Sequence, residues 1–277
     1  MIVPTPIVLT FTVWFLTITA STAETRQIRL ALLRFMTHLS PGNRSMLSGW
    51  NTSSDPCLDE WTGVVCDFKS SSVTGIKLDG FNLSGTIDAN SLCSVVTSLF
   101  TLILSSNSLV GELPQEISKC TNLIHLNLHQ NLLSGDLPSS LSQLNYMIKL
   151  DISNNGFTGQ LPELSKFVFL VYFHAEQNRF SGEIPELSKF GLMLDFNVSD
   201  NNLSGPIPGG GQRFDATSFS GNPGLCGPPL SIACVNATVH HGTSFSTGAL
   251  LTPVIQLLIF LICCSLGVPF LYPKDKR

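Results

Sequence analysis

The chain repeats itself, and the period of that repeat restricts the fold more than any other feature. The stretch "LIHLNLHQNLLSGDLP" from Leu123 returns as "LFTLILSSNSLVGELP" from Leu99, "MIKLDISNNGFTGQLP" from Met147, "LVYFHAEQNRFSGEIP" from Leu170 and "MLDFNVSDNNLSGPIP" from Met193. A looser first copy, "VTGIKLDGFNLSGTI", starts at Val73. Aligned on the asparagine, the copies put Asn107, Asn131, Asn155, Asn178 and Asn201 in one column, with Phe81 in that slot in the first. The steps between these positions are 26, 24, 24, 23 and 23 residues.

In a Leu-x-Leu strand the side chains alternate, so two leucines enter a core and the residues between them face solvent. Such strands stack in parallel, and each repeat buries its apolar edge only against its neighbours. The asparagine stands where the chain leaves the strand, and there its amide can bond backbone groups that water does not reach. Glycine in the Ser-Gly step permits a tight return, and proline opens the outer segment without needing a donor. A period of roughly 20–29 residues with this pattern is that of leucine-rich repeats. The expected fold is an α/β leucine-rich repeat solenoid of about six repeats, with a short parallel β-sheet on its concave face. Disulfide-bonded N- and C-terminal caps and one transmembrane helix complete it.

Only 12% of the residues are charged and the mean hydropathy is +0.28, which points to membrane segments. Ile7 to Ala20 is apolar, and Ser21 and Ala23 suit the small-residue places of a signal-peptidase site, although no Lys or Arg precedes the run. Gly248 to Tyr272 holds no charged residue and has spanning length. Lys274, Lys276 and Arg277 against Asp275 make the end basic, hence cytoplasmic. The expected organisation is a signal peptide over 1–23, an N-terminal cap over 24–72 and repeats over 73–208. A C-terminal cap and juxtamembrane linker over 209–247, a transmembrane helix over 248–272 and a cytoplasmic tail over 273–277 follow. This is a single-pass type I protein of the plasma membrane with its ectodomain outside the cell. Three of the 15 basic and one of the 19 acidic residues lie in the tail, which leaves 12 against 18, a net of −6. With no basic run outside the tail, nucleic acid and polyanionic glycans are poor partners.

Six of the eight cysteines are then extracellular, where disulfides persist, while Cys263 and Cys264 fall in the membrane run. Cys57 pairs with Cys66 and Cys226 with Cys234, because short caps must seal the exposed ends of the solenoid core. Cys93 and Cys120, 27 residues apart, either bridge adjacent coils or remain two buried thiols. Asn-x-Ser/Thr glycosylation sites occur at Asn43, Asn51, Asn82, Asn197, Asn202 and Asn236. Those at Asn82 and Asn202 lie in Asn-Leu-Ser-Gly, which the repeat itself tends to generate.

The order Trp50, Asp55-Pro56-Cys57, Trp61-Thr62-Gly63-Val64, Cys66 resembles the N-terminal cap of plant leucine-rich repeat receptors. Leu-Ser-Gly-x-Ile-Pro likewise resembles the plant form of the repeat. After the last copy, "RFDATSFSGNPGLCGPPL" is similar to the C-terminal junction of plant leucine-rich repeat receptor-like kinases, with Phe219, Asn222, Cys226 and Gly227 in place. The resemblance covers about residues 25–234. It is nearest to the small-ectodomain kinases of the probable inactive or pollen-type receptor kinase group. The Cys93/Cys120 pair also resembles the extra inter-repeat bridge of small pseudokinase co-receptor regulators. Such relatives continue past the membrane helix into a kinase with a Gly-rich phosphate loop and a catalytic Asp. The sequence here stops at Arg277, so a kinase-less receptor-like protein is expected, with an incomplete gene model, a fragment of a receptor-like (pseudo)kinase, as the alternative.

No acid–base or nucleophile constellation stands out, and no catalytic residue, metal site or cofactor is expected. Gly209–Gly211 lacks the Lys-Ser/Thr of a phosphate loop and reads as a flexible exit from the last repeat. His240-His241 reads as linker, and Asp59-Glu60 as solvated cap surface.

The residues between core positions should face the concave side. They are Gly75, Lys77 and Asp79; Thr101, Ile103 and Ser105; His125, Asn127 and His129; Lys149, Asp151 and Ser153; Tyr172, His174 and Glu176; Asp195, Asn197 and Ser199. Free of packing duty, they form the candidate partner-binding surface, centred on Lys77, Ile103, His125, Asn127, His129, Lys149, Asp151, Tyr172, His174 and Glu176. An unperturbed histidine titrates near pH 6.5, so an acidic cell wall would charge His125, His129 and His174 and favour a partner bearing carboxylates. Ordinary solvated strand residues are the alternative. A glycan on Asn197 would cover the sixth strand and push binding toward the N-terminal half. The expected function is binding of a peptide ligand or of a leucine-rich repeat receptor kinase ectodomain, as co-receptor, scaffold or decoy. An inhibitor of wall enzymes, similar to polygalacturonase inhibitors, is the second reading.

Overall fold

The computed structural model describes residues 25–39, 47–188 and 191–234. The runs expected to be signal peptide and membrane helix lie outside these residues, as do Asn43, Asn236 and the paired His240 and His241. Among the described residues no helix is long and apolar enough to cross a membrane.

Six parallel strands carry the repeats, and each is one rung: Val73–Lys77, Thr101–Ile103, His125–Asn127, Lys149–Asp151, Tyr172–His174 and Asp195–Asn197. Strand Val64–Cys66 of the N-terminal cap closes the first edge, antiparallel to the first rung. The register is unbroken, so Ile76, Leu102, Leu126, Leu150, Phe173 and Phe196 stand opposite one another in one buried column. Leu78, Leu104, Leu128, Ile152, Ala175 and Val198 make a second. A slip of one residue would turn both columns to solvent, which ties the register to the Leu-x-Leu pattern.

Past the asparagine, short strands such as Ser108–Gly111 and Leu132–Asp136 form two further parallel sheets along the descending flank. Here the Ser-Gly step needs its glycine. Gly135 has φ 78°, and a Cβ there would sit 2.6 Å from Glu112 Cγ. On the convex side, Pro114 and Pro138 stand before the 3-10 turns Gln115–Lys119 and Ser139–Gln143, with φ of −71° and −65° that suit the proline ring.

The asparagine column does what the sequence leads one to expect, with the same set of bonds in the five rungs that carry it. Asn131 Nδ2 donates to Leu104 O, Leu128 O and His129 O at 3.0, 3.0 and 3.3 Å, and its Oδ1 accepts from Leu109 N at 3.0 Å. Asn107, Asn155, Asn178 and Asn201 repeat this pattern. Each amide joins two successive coils at a point where the backbone is buried. Asn222 repeats it once more, with Nδ2 donating to Val198 O and Oδ1 accepting from Leu203 N, both at 3.0 Å. There is thus a seventh, degenerate coil inside the segment expected to be only C-terminal cap. Phe214, Phe219 and Asn222 keep the spacing of the opening leucine, the second core position and the asparagine of the other copies. The coil lacks a concave strand. Asp215 Oδ1 instead accepts from Thr217 N at 2.9 Å and sets the 3-10 turn Ala216–Phe219. The turn still offers Ser218 O and Ser220 O to Val198 N and Asp200 N.

Both ends of the core are sealed. At the N-terminus, helix residues 25–39 bury Leu32, Phe35, Met36 and Leu39, one stripe at helical spacing. Trp50 and Trp61 lie 5.1 Å apart, and their indole N–H groups donate to Thr62 O and Ser54 Oγ, each at 2.8 Å. At the C-terminus, Phe214 and Phe219 cover Phe196 at 5.3 and 5.8 Å. The triple glycine is a packed turn rather than a flexible exit: a Cβ on Gly210 would meet Leu187 C at 2.9 Å and one on Gly211 would meet Ile207 Cγ2 at 2.4 Å.

All three cysteine pairs outside the apolar run are bonded: Cys57–Cys66, Cys93–Cys120 and Cys226–Cys234. The open alternative for the middle pair resolves in favour of a bridge between the helix Ala89–Cys93 and the turn Gln115–Lys119 of the next coil. Its loop of 27 residues predicts that Cys93→Ser with Cys120→Ser costs about 3–4 kcal/mol in denaturant unfolding of the full chain. A loss below about 1 kcal/mol would show that packing alone sets the distance between these coils.

Candidate concave binding site

Strand register puts the candidate residues in two columns on one face. Gly75, Thr101, His125, Lys149, Tyr172 and Asp195 make the first; Lys77, Ile103, Asn127, Asp151, His174 and Asn197 the second. A third row at the strand exits holds His129, Ser153 and Glu176. The residues singled out from sequence are therefore brought together, half-buried, above a core that fixes each strand.

Neighbouring rungs hold one another's side chains. Lys149 Nζ lies 4.4 Å from the centroid of the Tyr172 ring, and His174 Nε2 lies 3.0 Å from Asp195 Oδ2. Ser153 Oγ donates to Asp151 Oδ1 at 2.5 Å and lies 2.7 Å from His129 Nδ1. The serine has one proton and gives it to the carboxylate, so the imidazole must donate through Nδ1. This His-Ser-Asp chain is not a hydrolase triad. The carboxylate holds the serine rather than the imidazole, and Ser153 is only 1% exposed.

Electrostatics correct one expectation. Burial lowers the His125 pKa from 6.5 to about 4, with the Lys149 and Lys77 charges adding to it and Asp151 opposing. Charging by an acidic wall therefore does not extend to His125. Burial also lowers the Lys149 ammonium against the pull of Asp195, and raises the Glu176 carboxyl against its own backbone N–H and His174. Glu176 Oε2 is buried with no hydrogen-bond partner among the described residues.

Of the Asn-x-Ser/Thr sequences among the described residues, Asn51, Asn82 and Asn202 are exposed and away from the concave columns, whereas Asn197 lies in the second column. Asn51 Oδ1 accepts from Ser53 N and Ser54 N at 2.8 and 2.9 Å, and Asn197 Oδ1 accepts from Ser199 N at 3.0 Å. Sequence reading left Asp195 out of the central set. Its alignment opposite Tyr172, two rungs from Lys149 and beside His174, was the available signal.

The lowered His125 pKa has a definite sign. Between about pH 6.5 and 4 the unfolded chain binds a proton at this site and the folded chain does not, so stability falls as pH drops through that window. The His125 C2–H resonance should titrate with a midpoint near 4, and His125→Gln should flatten the stability profile from 6.5 to 4. A midpoint near 6.5 would contradict the burial of this imidazole.

Residues 29–67 match the family described as "Leucine rich repeat N-terminal domain", and residues 98–120, 122–144 and 146–167 match "Leucine Rich Repeat". The chain is 39% identical over 103 residues to Protein STRUBBELIG-RECEPTOR FAMILY 5 of Arabidopsis thaliana, a match covering 37% of this chain and 14% of that one. The crystal structure of a Pollen Receptor Kinase 3 superposes with a TM-score of 0.66 at 32% identity, over 74% of this chain and 99% of that one. The BIR3–SERK2 complex from Arabidopsis thaliana contains a chain that matches with a TM-score of 0.54 at 30% identity, over 74% of this chain and 98% of that one. The protein thus spans a small part of the length of the curated receptor it matches, and nearly the whole of the solved receptor domains. With its capped solenoid, its repeats and this coverage, the chain belongs to the plant leucine-rich repeat receptor family, of which it carries the ectodomain.

Proposed function

We propose that this protein recognises a peptide or another receptor's ectodomain through its concave face, and works at the plasma membrane as a co-receptor, scaffold or decoy. One observation carries the reading. The concave columns are an ordered, partly charged surface whose backbone is fixed by the core, and no element of the described chain covers it. Pre-ordered side chains lose little freedom on binding, which favours affinity.

The charge on that face is split. Lys77 lies on the first rung, Lys149 and Asp151 share the fourth, and Glu176 and Asp195 lie on the fifth and sixth. A partner that lays an acidic group over the early rungs and a basic group over the late ones fits this order. The solved BIR3–SERK2 complex, which contains a chain of this fold, supports the choice of a second ectodomain as one partner class. Anchoring rests on the uncharged run 248–272 and its basic flank. The exposed acceptor sites at Asn51, Asn82 and Asn202 fit an extracellular surface and leave the first five rungs of the concave face clear. The recognition role does not depend on whether a kinase belongs to the same polypeptide.

Interferometry of the full chain against a panel of plant receptor ectodomains and secreted peptides tests this. Lys149→Ala with Tyr172→Ala should weaken any true partner by about tenfold or more, while Gln143→Ala on the convex side leaves affinity unchanged. Equal effects at both places would remove the concave face as the site.

A further inference from the structure

The flank along which the chain climbs from the convex side to the concave strands changes character halfway along the solenoid. In the first three repeats the residue just before the opening core position is Ser72, Ser98 or Asn122. Ser98 Oγ donates to Val73 O and Asn122 Nδ2 to Thr97 O, both at 2.8 Å, so this position ties a coil to the one before. In repeats four to six the same position holds Tyr146, Phe169 and Leu192, which make no such bond. The residue just after the core position is Ile148, Val171 or Leu194 in these repeats, with Val171 buried and Leu194 exposed, and it is already apolar at Phe100 and Ile124.

The result is an apolar block three rungs tall, about 10 Å along the solenoid at a strand spacing of about 4.8 Å. Tyr146 and Phe169 stack at 6.3 Å with rings 8° from parallel. The core does not need the outer edge of this block, because Met147, Leu170 and Met193 beside it are already buried. Even so, Tyr146 is 54% exposed, Leu194 62% and neighbouring Val168 65%. Contiguous apolar surface left in water marks an interaction site. Among the described residues no Asn-x-Ser/Thr sequence lies within it: Asn51 is in the N-terminal cap, Asn82 and Asn202 lie on the descending flank and Asn197 on the concave face. The block runs directly into the concave column Lys149, Tyr172, Asp195.

We propose that this ascending flank of repeats four to six docks a second, different protein chain. That chain carries an apolar strip with an acidic group placed to meet Lys149 and a basic group placed to meet Asp195. The proposal extends the concave-face reading to a second surface and stands on its own exposure pattern. A second copy anchored in the same membrane, as proposed above, stands the same way up and would set Lys149 against Lys149 and Asp195 against Asp195, so complementary charge selects an unlike partner.

Site-specific photo-crosslinking on the full chain in plant cells tests it, with benzoylphenylalanine placed in turn at Val168, Leu194, Ile103 and Gln143. The expected result is a crosslink from Val168 and Leu194 to another protein, in a segment whose apolar residues border both charges. Lys149→Glu with Asp195→Lys should cut that yield about tenfold or more, and the reciprocal charge exchange in the partner should restore it, which loss of folding would not allow. Flank yields no higher than at Gln143, crosslinks only between copies of this chain, or indifference to the charge exchange would each overturn the proposal. Crosslinks at Ile103 with none at the flank would sink this proposal and leave the concave reading standing; the opposite pattern would do the reverse.

Discussion

The asparagine amide at each turn is the interaction on which the structure depends. A solenoid buries its turns against one another, so their backbone groups lose water and must find partners within the chain. Asn131 alone serves two carbonyls of its own coil, one carbonyl of the coil before and one N–H of that earlier coil. The residue ahead of each ladder asparagine pays a conformational cost for this arrangement: Ser106, Gln130, Asn154, Gln177 and Asp200 all have φ of 54° or 55°. Because the bonds cross between coils, the column also fixes the distance and register from one rung to the next.

That regularity makes the concave face a usable surface. Strands held at one spacing place residues from distant parts of the chain in straight columns, and the contacts within those columns set their chemistry. Lys149 on Tyr172, His174 against Asp195 and the His129–Ser153–Asp151 chain all link residues about one repeat apart in sequence. The same regularity makes departures informative. A position that ties coils together through Ser98 and Asn122, and turns aromatic at Tyr146 and Phe169, has been released from that structural task.

Most of the fold was legible because its determinants are local and repeated. The leucine alternation, the Ser-Gly return, the asparagine column and the paired cap cysteines each follow from a few neighbouring residues. The seventh coil escaped because its strand is replaced by a capped 3-10 turn, so only Phe214, Phe219 and Asn222 keep the pattern. Membership of the concave face was legible from alternation, but its chemistry was not. The His125 pKa is lowered by burial and by lysines one rung after it, at Lys149, and two rungs before it, at Lys77. Neither the depth of that burial nor the pairing of His174 with Asp195 is visible until the rungs are stacked.

Hydrogen exchange on the full chain with Asn131→Ala tests the role of the amide column most directly. Leu109 N, which Asn131 Oδ1 accepts, should lose protection by about a hundredfold, and the chain should lose about 2–4 kcal/mol of stability. The loss should spread to the rungs on either side, Thr101–Ile103 and Lys149–Asp151. Unchanged protection at Leu109, with stability within about 0.5 kcal/mol of the parent, would show that strand pairing and core packing hold the coils together without it.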